Sequence, residues 1–503
     1  MSRKLKITTH KTSRLILCLI LLGSWGLLHI DLEGKSLWTD ELFTAEWAGL
    51  SLESLMQETM GDYHPPLYFL MVNLWGRIAG HSDFALRWPS VIAGWISMAV
   101  IYYLGRAWQS RQTGWASAAL WGTSPVVILY SRMARYYSLA ALISLLSTAL
   151  LSRALTHNKK HLWAAYILFS SMALYTFYLT GFILVAHIGL LLWHKRKDKF
   201  QPWLAAIFLT ALTMLPWASV ILNQAVRTGR GAADLTYSIT GFILKLAYPT
   251  YATALGESIF PWHPLAFLGG LAVITLFTLG CSQWKKQRRL LLLLGLSLMP
   301  LFGMILVTTL ISPRTPFVSI PARTLFTIPY IFLIIGSGLT SAKIQLKLPA
   351  TLLMIAAWIL SLSNYYTNQQ FLNPIYLTPA REIAEQILNH IQPRDAIFSP
   401  ADSGLYYYYE QTKAPQPHFT QENNTLAYLK VNPESRIWML TLGRDQTRYN
   451  TPTELQTWLQ THYRAVDAWG YVPQAPLYRS IKSRLLGREA YQYRALLQLY
   501  THR

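Results

Sequence analysis

The chain has 503 residues, of which 52% are hydrophobic and only 13% charged, and its formal net charge is +21. Soluble domains carry about 25% charged residues, so an ordinary soluble protein is excluded for much of the length. The two cysteines, Cys18 and Cys281, both lie in apolar runs, which excludes a disulfide framework or a cysteine metal centre.

Met1 to Arg14 is basic and precedes an apolar segment, as in a signal peptide. No small-residue cleavage site follows before Asp31, so the segment reads as a retained signal anchor. A membrane span needs about 20 apolar residues, with a range of about 17–25. By that measure the spans are about 14–30, 87–105, 113–131, 136–155, 161–179, 181–194, 202–222, 262–283, 290–311, 323–340 and 347–363. The chain is thus expected to be a polytopic α-helical membrane protein of about 11 spans, range about 10–13. With the N-terminus cytoplasmic, every basic cluster falls inside: Arg3 to Lys6, Arg106 and Arg111, Lys159 and Lys160, Lys195 to Lys199, Lys285 to Arg289, and Lys343 with Lys347. The charge then reports topology and not a nucleic-acid partner.

The apolar stretch Pro65 to Gly80 is too short for a span. About 14 helical residues rise only about 21 Å, against a hydrocarbon core near 30 Å. It is expected to lie in the outer interface, with Pro66 in its first turn and Gly80 at its end. Residues 31–87 then form one long outer loop rich in acidic side chains. Residues 223–261 are expected as a second outer loop, and 312–322, rich in proline, as a third. Residues 1–363 make the membrane domain. From 364 to 503 the pattern becomes that of a small soluble α/β domain outside the membrane, with helices at 380–391 and 452–464 and strands at 395–400 and 436–442. Thr451 or Thr453 would cap the later helix, and Asn423-Asn-Thr matches a glycosylation acceptor that is common by chance.

The outer face carries more polar chemistry than topology requires. Asp40 and Glu41 fit two readings: Asp40 capping a helix that begins near Leu42 with Glu41 complementing its positive end, or one carboxylate acting as base for an acceptor hydroxyl. His64 stands before two prolines that hold it on a rigid corner, either as a polar junction residue or as a donor to phosphate or sugar. Arg132 and Arg135 with Tyr136 and Tyr137 sit at the outer end of the third span, and Arg323 and Arg87 at two others. Interfacial arginines and tyrosines anchor helices; arginine also grips phosphate bidentately. Paired carboxylates such as Asp40 and Glu41 also admit a divalent metal, although cationic side chains can do that work unaided and no cofactor is required.

At these residues the chain resembles the bacterial branch of the dolichyl-phosphate-mannose protein mannosyltransferase-like superfamily, the type-C membrane glycosyltransferases. The resemblance rests on WTDE at 38–41, DYHPPLY at 62–68, GHSDFALRWPSVIAG at 80–94, ARYYSL at 134–139 and ARTLFTIP at 322–329, in that order. It implies a multi-pass protein of the bacterial inner membrane with the type-C fold. It further implies transfer of a sugar, with inversion, from a polyprenyl-phosphate donor to an extracytoplasmic hydroxyl on protein, lipid or glycan. On that resemblance Asp40 is the base, Glu41 its support, and His64, Arg135 and Arg323 contacts of the donor phosphate. Relatives often have an acidic residue shortly before the arginine of the fourth block, where this chain has Arg132-Met133-Ala134-Arg135. Some have Lys in place of His64, so this chain's phosphate contact would respond to pH. The rival is a transporter or flippase of lipid or polysaccharide; such proteins place ionisable groups near the midplane, whereas here they gather at one face.

Overall fold

The computed structural model describes residues 18–194, 197–230, 239–286, 290–310, 321–400, 403–412, 418–420, 425–433, 435–443, 453–486 and 490–503. The basic N-terminal stretch, most of the 312–322 loop and the asparagines of the glycosylation tripeptide lie outside these residues. The chain divides into two units: Met1–Leu32 with Glu46–Thr367, and Glu33–Ala45 with Asn368–Arg503.

The first unit is helical. In order come α1 (Cys18–His29), α2 (Thr39–Ala48), whose first residues belong to the second unit, α3 (Leu52–Gly61), α4 (Leu67–Ala79), α5 (Asp83–Trp108), α6 (Arg111–Thr123), α7 (Pro125–Ser131), α8 (Tyr137–His157) and α9 (Lys160–Thr176). Then follow α10 (Gly181–Ala186), α11 (Ile188–Trp193), α12 (Phe200–Thr213), α13 (Ala218–Arg230), α14 (Ile239–Leu255), α15 (Pro264–Lys286), α16 (Leu290–Leu310), α17 (Ile328–Leu339) and α18 (Ile344–Tyr366). Among the described residues, six helical stretches are long and apolar enough to cross a membrane: α5, α8, Phe200–Gln224, Pro264–Trp284, Pro321–Leu339 and α18. Shorter apolar helices include Leu67–Ala79, Tyr178–Leu192 and Leu290–Met304.

Local chemistry sets the ends. Ser51, Ser82 and Ser110 each turn a hydroxyl oxygen onto an amide three residues ahead, at 3.1 Å, and so start α3, α5 and α6. Gly80, at φ 79°, ends α4 in a conformation open to glycine. α4 buries Tyr68, Phe69, Val72, Asn73 and Gly76 on one face and leaves Leu74 and Ile78 exposed on the other. The run expected as one span over 113–131 is broken instead. Pro125 has no amide to donate, and it holds Ser124 extended at ψ 128°, so α6 stops and α7 begins anew. A second correction concerns 223–261, expected as a loop: α13 reaches into it and α14 fills residues 239–255. Pro249 and Lys245 interrupt the apolar run there and hide the helix from a composition window.

Two features bind the helices together. α15 and α17 meet backbone to backbone: a Cβ built on Gly338 would lie 1.9 Å from the Leu276 carbonyl oxygen, and one on Gly280 1.9 Å from that of Ile334. Deep among α8, α9, α10 and α17, His187 is fully enclosed by hydroxyls. Tyr166 OH lies 3.0 Å from Nδ1, Thr148 Oγ1 3.0 Å from Nε2, and Tyr330 OH 2.6 Å from Thr148 Oγ1. Because the Thr148 hydroxyl donates to the Ser144 carbonyl at 2.9 Å, it accepts from both neighbours, which puts the His187 proton on Nε2.

The second unit holds a five-stranded sheet, ordered β2-β1-β3-β5-β4, from β1 (Ala396–Phe398), β2 (His418–Thr420), β3 (Ile437–Leu442), β4 (Tyr463–Pro473) and β5 (Tyr493–His502). β1 runs parallel to β2 and β3, while β5 is antiparallel to β3 and β4. Phe398, Ile437 and Met439 pack with Leu455, Leu459 and Tyr463 in its core. Asp395, buried at the head of β1, is satisfied by Arg436 at 2.6 Å and by Trp438 Nε1 at 2.9 Å.

Candidate active site

In the first unit Asp62, Arg135 and Tyr136 form a cluster around His64. α3 ends at Asp62, whose amide closes the helix on Glu58. The Asp62 carboxylate then folds over the next turn: Oδ2 accepts the His64 amide at 3.2 Å and lies 2.5 Å from His64 Nδ1. The two prolines behind His64 fix its backbone. On the other edge of the ring, Nε2 lies 3.1 Å from Arg135 Nη2. Guanidinium nitrogens only donate, so Nε2 is the acceptor and the His64 proton sits on Nδ1, facing Asp62. Burial lowers the His64 pKa, and the Arg135 and Arg323 charges lower it further against the opposing pull of Asp62. The ring is therefore neutral near pH 7. Asp62, which burial alone would raise, is held below the usual carboxylate range by the His64 hydrogen bond, the Tyr63 amide and Arg135.

Arg135 is buried, with its guanidinium over the rings of Phe69 (5.7 Å) and Tyr136 (5.5 Å). Its backbone is clamped as well: Ser90 Oγ of α5 donates to the Arg135 carbonyl at 2.8 Å, and Tyr68 OH of α4 lies 3.0 Å from that same Oγ. Tyr136 packs its ring between His64 (5.4 Å) and Phe177 (5.0 Å). Arg323, on the 3-10 turn Pro321–Thr327, is half-buried and close enough to act electrostatically on His64.

The neighbouring arginine does something else. Arg132 donates to the Leu27 carbonyl at 3.2 Å and the Asp31 carbonyl at 2.7 Å, and it rests over Tyr365 and Tyr366. It caps the end of α1, and it explains why basic Arg132 is tolerated beside Arg135: the two charges point into different surroundings. Arg87, singled out above as a substrate contact, donates to the Leu32 carbonyl at 2.7 Å and is 4% exposed. That bond gives it a structural task at the end of the first helix.

Asp40 and Glu41 fall in the second unit. Here the capping expectation is corrected: α2 begins at Thr39, not near Leu42, and Glu41 is the residue that turns back, accepting the Trp38 amide at 3.3 Å. This is half of a capping box. Glu41 is 1% exposed, whereas Asp40, in the same first turn, is half-buried. The stretch before the helix is pinned by Tyr408 OH, 2.6 Å from the Leu37 amide, by Ser36 Oγ, 3.1 Å from the Arg381 amide, and by Tyr376 against the Trp38 ring. No group of three or more His, Cys, Asp or Glu side chains comes together among the described residues.

Two carboxylates were not singled out from the sequence as site residues. Asp62 had a signal, the Asp-x-His spacing that lets a carboxylate reach the ring two residues on. Glu257, between α14 and α15, is buried and receives hydrogen bonds from Tyr130 OH and from Tyr248 OH, the latter at 2.5 Å; burial pushes its pKa up to about 8. Tyr130 is distant in the chain and Tyr248 nine residues upstream, so no local motif marks Glu257.

Residues 63–220 match the family model described as dolichyl-phosphate-mannose-protein mannosyltransferase. Curated protein sequences give no significant match. The fold is similar to that of ArnT from Cupriavidus metallidurans in the apo state, with TM-score 0.53 and 11% identity over 98% of each chain. It is similar also to the same protein bound to undecaprenyl phosphate, with TM-score 0.51 and 12% identity over 96% of this chain and 97% of that one. The family match thus covers a segment of the first unit, and the likeness to ArnT is one of fold.

Proposed function

We propose that the chain is an inverting glycosyltransferase of the bacterial inner membrane that moves a sugar from a polyprenyl-phosphate donor to a hydroxyl outside the cytoplasm. The observation that supports this most is the buried guanidinium of Arg135, clamped through its carbonyl and held at the ring of a neutral histidine, with Arg323 nearby. A cation so placed suits a lipid-linked phosphate. The ArnT fold, recorded elsewhere with undecaprenyl phosphate, supports the same donor class.

In this reading Asp40 takes the proton of the acceptor hydroxyl as its oxygen bonds to the anomeric carbon. The bond from that carbon to the phosphate oxygen breaks on the opposite face, and its electron pair stays on the phosphate. The leaving group gains negative charge as this happens, and Arg135 and Arg323 are the donors that stabilise it. Phosphate leaves readily, so no metal-assisted step is invoked. Glu41 supports the base indirectly by fixing the first turn of α2. α4 lies in the outer interface with Leu74 and Ile78 toward lipid, the N-terminus is cytoplasmic, and the C-terminal α/β unit is extracytoplasmic.

The test is transfer by purified protein from a polyprenyl-phosphate sugar, with Asp40→Asn beside wild type. Loss of transfer with retained undecaprenyl-phosphate binding is the expected result; normal transfer by Asp40→Asn would refute the assignment. A reporter fused after Leu362 should register outside. Mass spectrometry of envelope lipids and glycoproteins from a deletion strain identifies the sugar and acceptor.

A further inference from the structure

We infer that Asp62 is a positioning residue for the donor phosphate: its carboxylate takes the Nδ1–H of His64, which leaves the Nε2 lone pair facing Arg135 and so aims that guanidinium. The inference rests on the donor reading above for its purpose, but its geometry stands alone. The Asp62–Nδ1 distance is 2.5 Å and the Nε2–Arg135 distance 3.1 Å. Each link has a built reason: the Asx-like turn places Oδ2 under the ring, Pro65 fixes the His64 backbone, and Ser90 fixes that of Arg135.

The groups that face His64 are few. Asp62 comes from its own loop, Arg135 and Tyr136 from the turn before α8, and Arg323 from the 3-10 turn; Tyr178 stands near Asp62. Asp62 is the carboxylate among them and the one member that raises the basicity of the ring. Protonating Nε2 would remove the acceptor and set imidazolium against guanidinium, so the His64 contact to Arg135 exists only while the ring is neutral. In this reading His64 orients Arg135, and the phosphate's cation is the arginine.

The decisive measurement is the tautomer of His64 in the full chain, labelled with 15N-histidine in detergent micelles. Its signal is identified by its loss in His64→Gln. Wild type is expected to show the Nδ1-protonated form, opposite to that expected of His187. In Asp62→Asn the His64 titration should move to lower pH, because the carboxylate that favoured the charged ring is gone. An Nε2-protonated His64 in wild type, or a titration that Asp62→Asn leaves unmoved, overturns the inference.

Donor affinity supplies the second arm. Asp62→Asn should raise the donor KM about tenfold, as loss of one charge-assisted hydrogen bond implies, with kcat less affected. His64→Gln, which can still accept from Arg135 through its amide oxygen, should weaken donor binding less than His64→Leu and abolish its decline on the acid side. Equal losses in both, with the acid decline intact, count against the positioning role even where Asp62→Asn fails to fold. Wild-type protein with the expected tautomer but no transfer from any polyprenyl-phosphate sugar would sink the proposed function and leave this assignment standing.

Discussion

Two histidines in the first unit, His187 buried and His64 half-buried, carry opposite tautomers, and their surroundings explain why. His187 is enclosed by neutral hydroxyls from Tyr166 and Thr148, each bond complete within the helix bundle. His64 stands between a carboxylate and a guanidinium, on a loop stiffened by proline. The first arrangement has no charge to hold or release; hydrogen bonding in an apolar interior serves helix packing. The second stores a charged pair through a neutral relay, and only such a group changes the field at a nearby ligand. An ionisable side chain inside an apolar helix is thus not by itself a transport path, because what matters is whether its partners are ionisable too.

The contrast is broken most sharply by Arg135→Ala. If the outer cluster holds the phosphate, transfer should fall on the order of 10²–10³-fold, as for loss of a single oxyanion donor, while the melting temperature changes little. His187→Leu should do the reverse. It leaves the Tyr166 hydroxyl without its acceptor and is expected to destabilise the protein by about 1–3 kcal/mol, read as a lower unfolding temperature, with transfer per folded molecule retained. Arg132→Ala tests the same division three residues from Arg135: the end of α1 should loosen, seen as faster amide exchange near Leu27 to Asp31, with donor KM affected less than by Arg135→Ala.

Glu257 supplies a pH-dependent effect. Its native pKa, raised to about 8, lies above that of an exposed glutamate near 4.3, so the folded state holds the proton more tightly than the unfolded one. That contribution is complete at acid pH and is lost as pH rises through about 8. Glu257→Gln should flatten the decline in stability between about pH 4.3 and about pH 8, and an unchanged profile would remove Glu257 from the account.

Much of this was legible in the residues. Length and apolarity alone separated α4 from the spans, and Gly80 does end it. The DYHPP and ARYY blocks led to His64, Arg135 and Tyr136, which the fold gathers. What the sequence did not carry is direction. Arg87, Arg132 and Arg135 are alike in standing near the ends of apolar segments, yet two of the three guanidiniums turn onto carbonyls of the first helix and its end. Likewise Asp40 and Glu41 are adjacent, and only the start of α2 at Thr39 decides which turns back. α14 was missed because a proline and a lysine broke its apolar run.

The glycine seam between α15 and α17 bears on how a lipid with a long tail reaches the protein. With Gly338 against the Leu276 carbonyl and Gly280 against that of Ile334, the two backbones leave no gap for an isoprenoid chain to slip through. Under the proposed function, a polyprenyl donor therefore does not pass between α15 and α17.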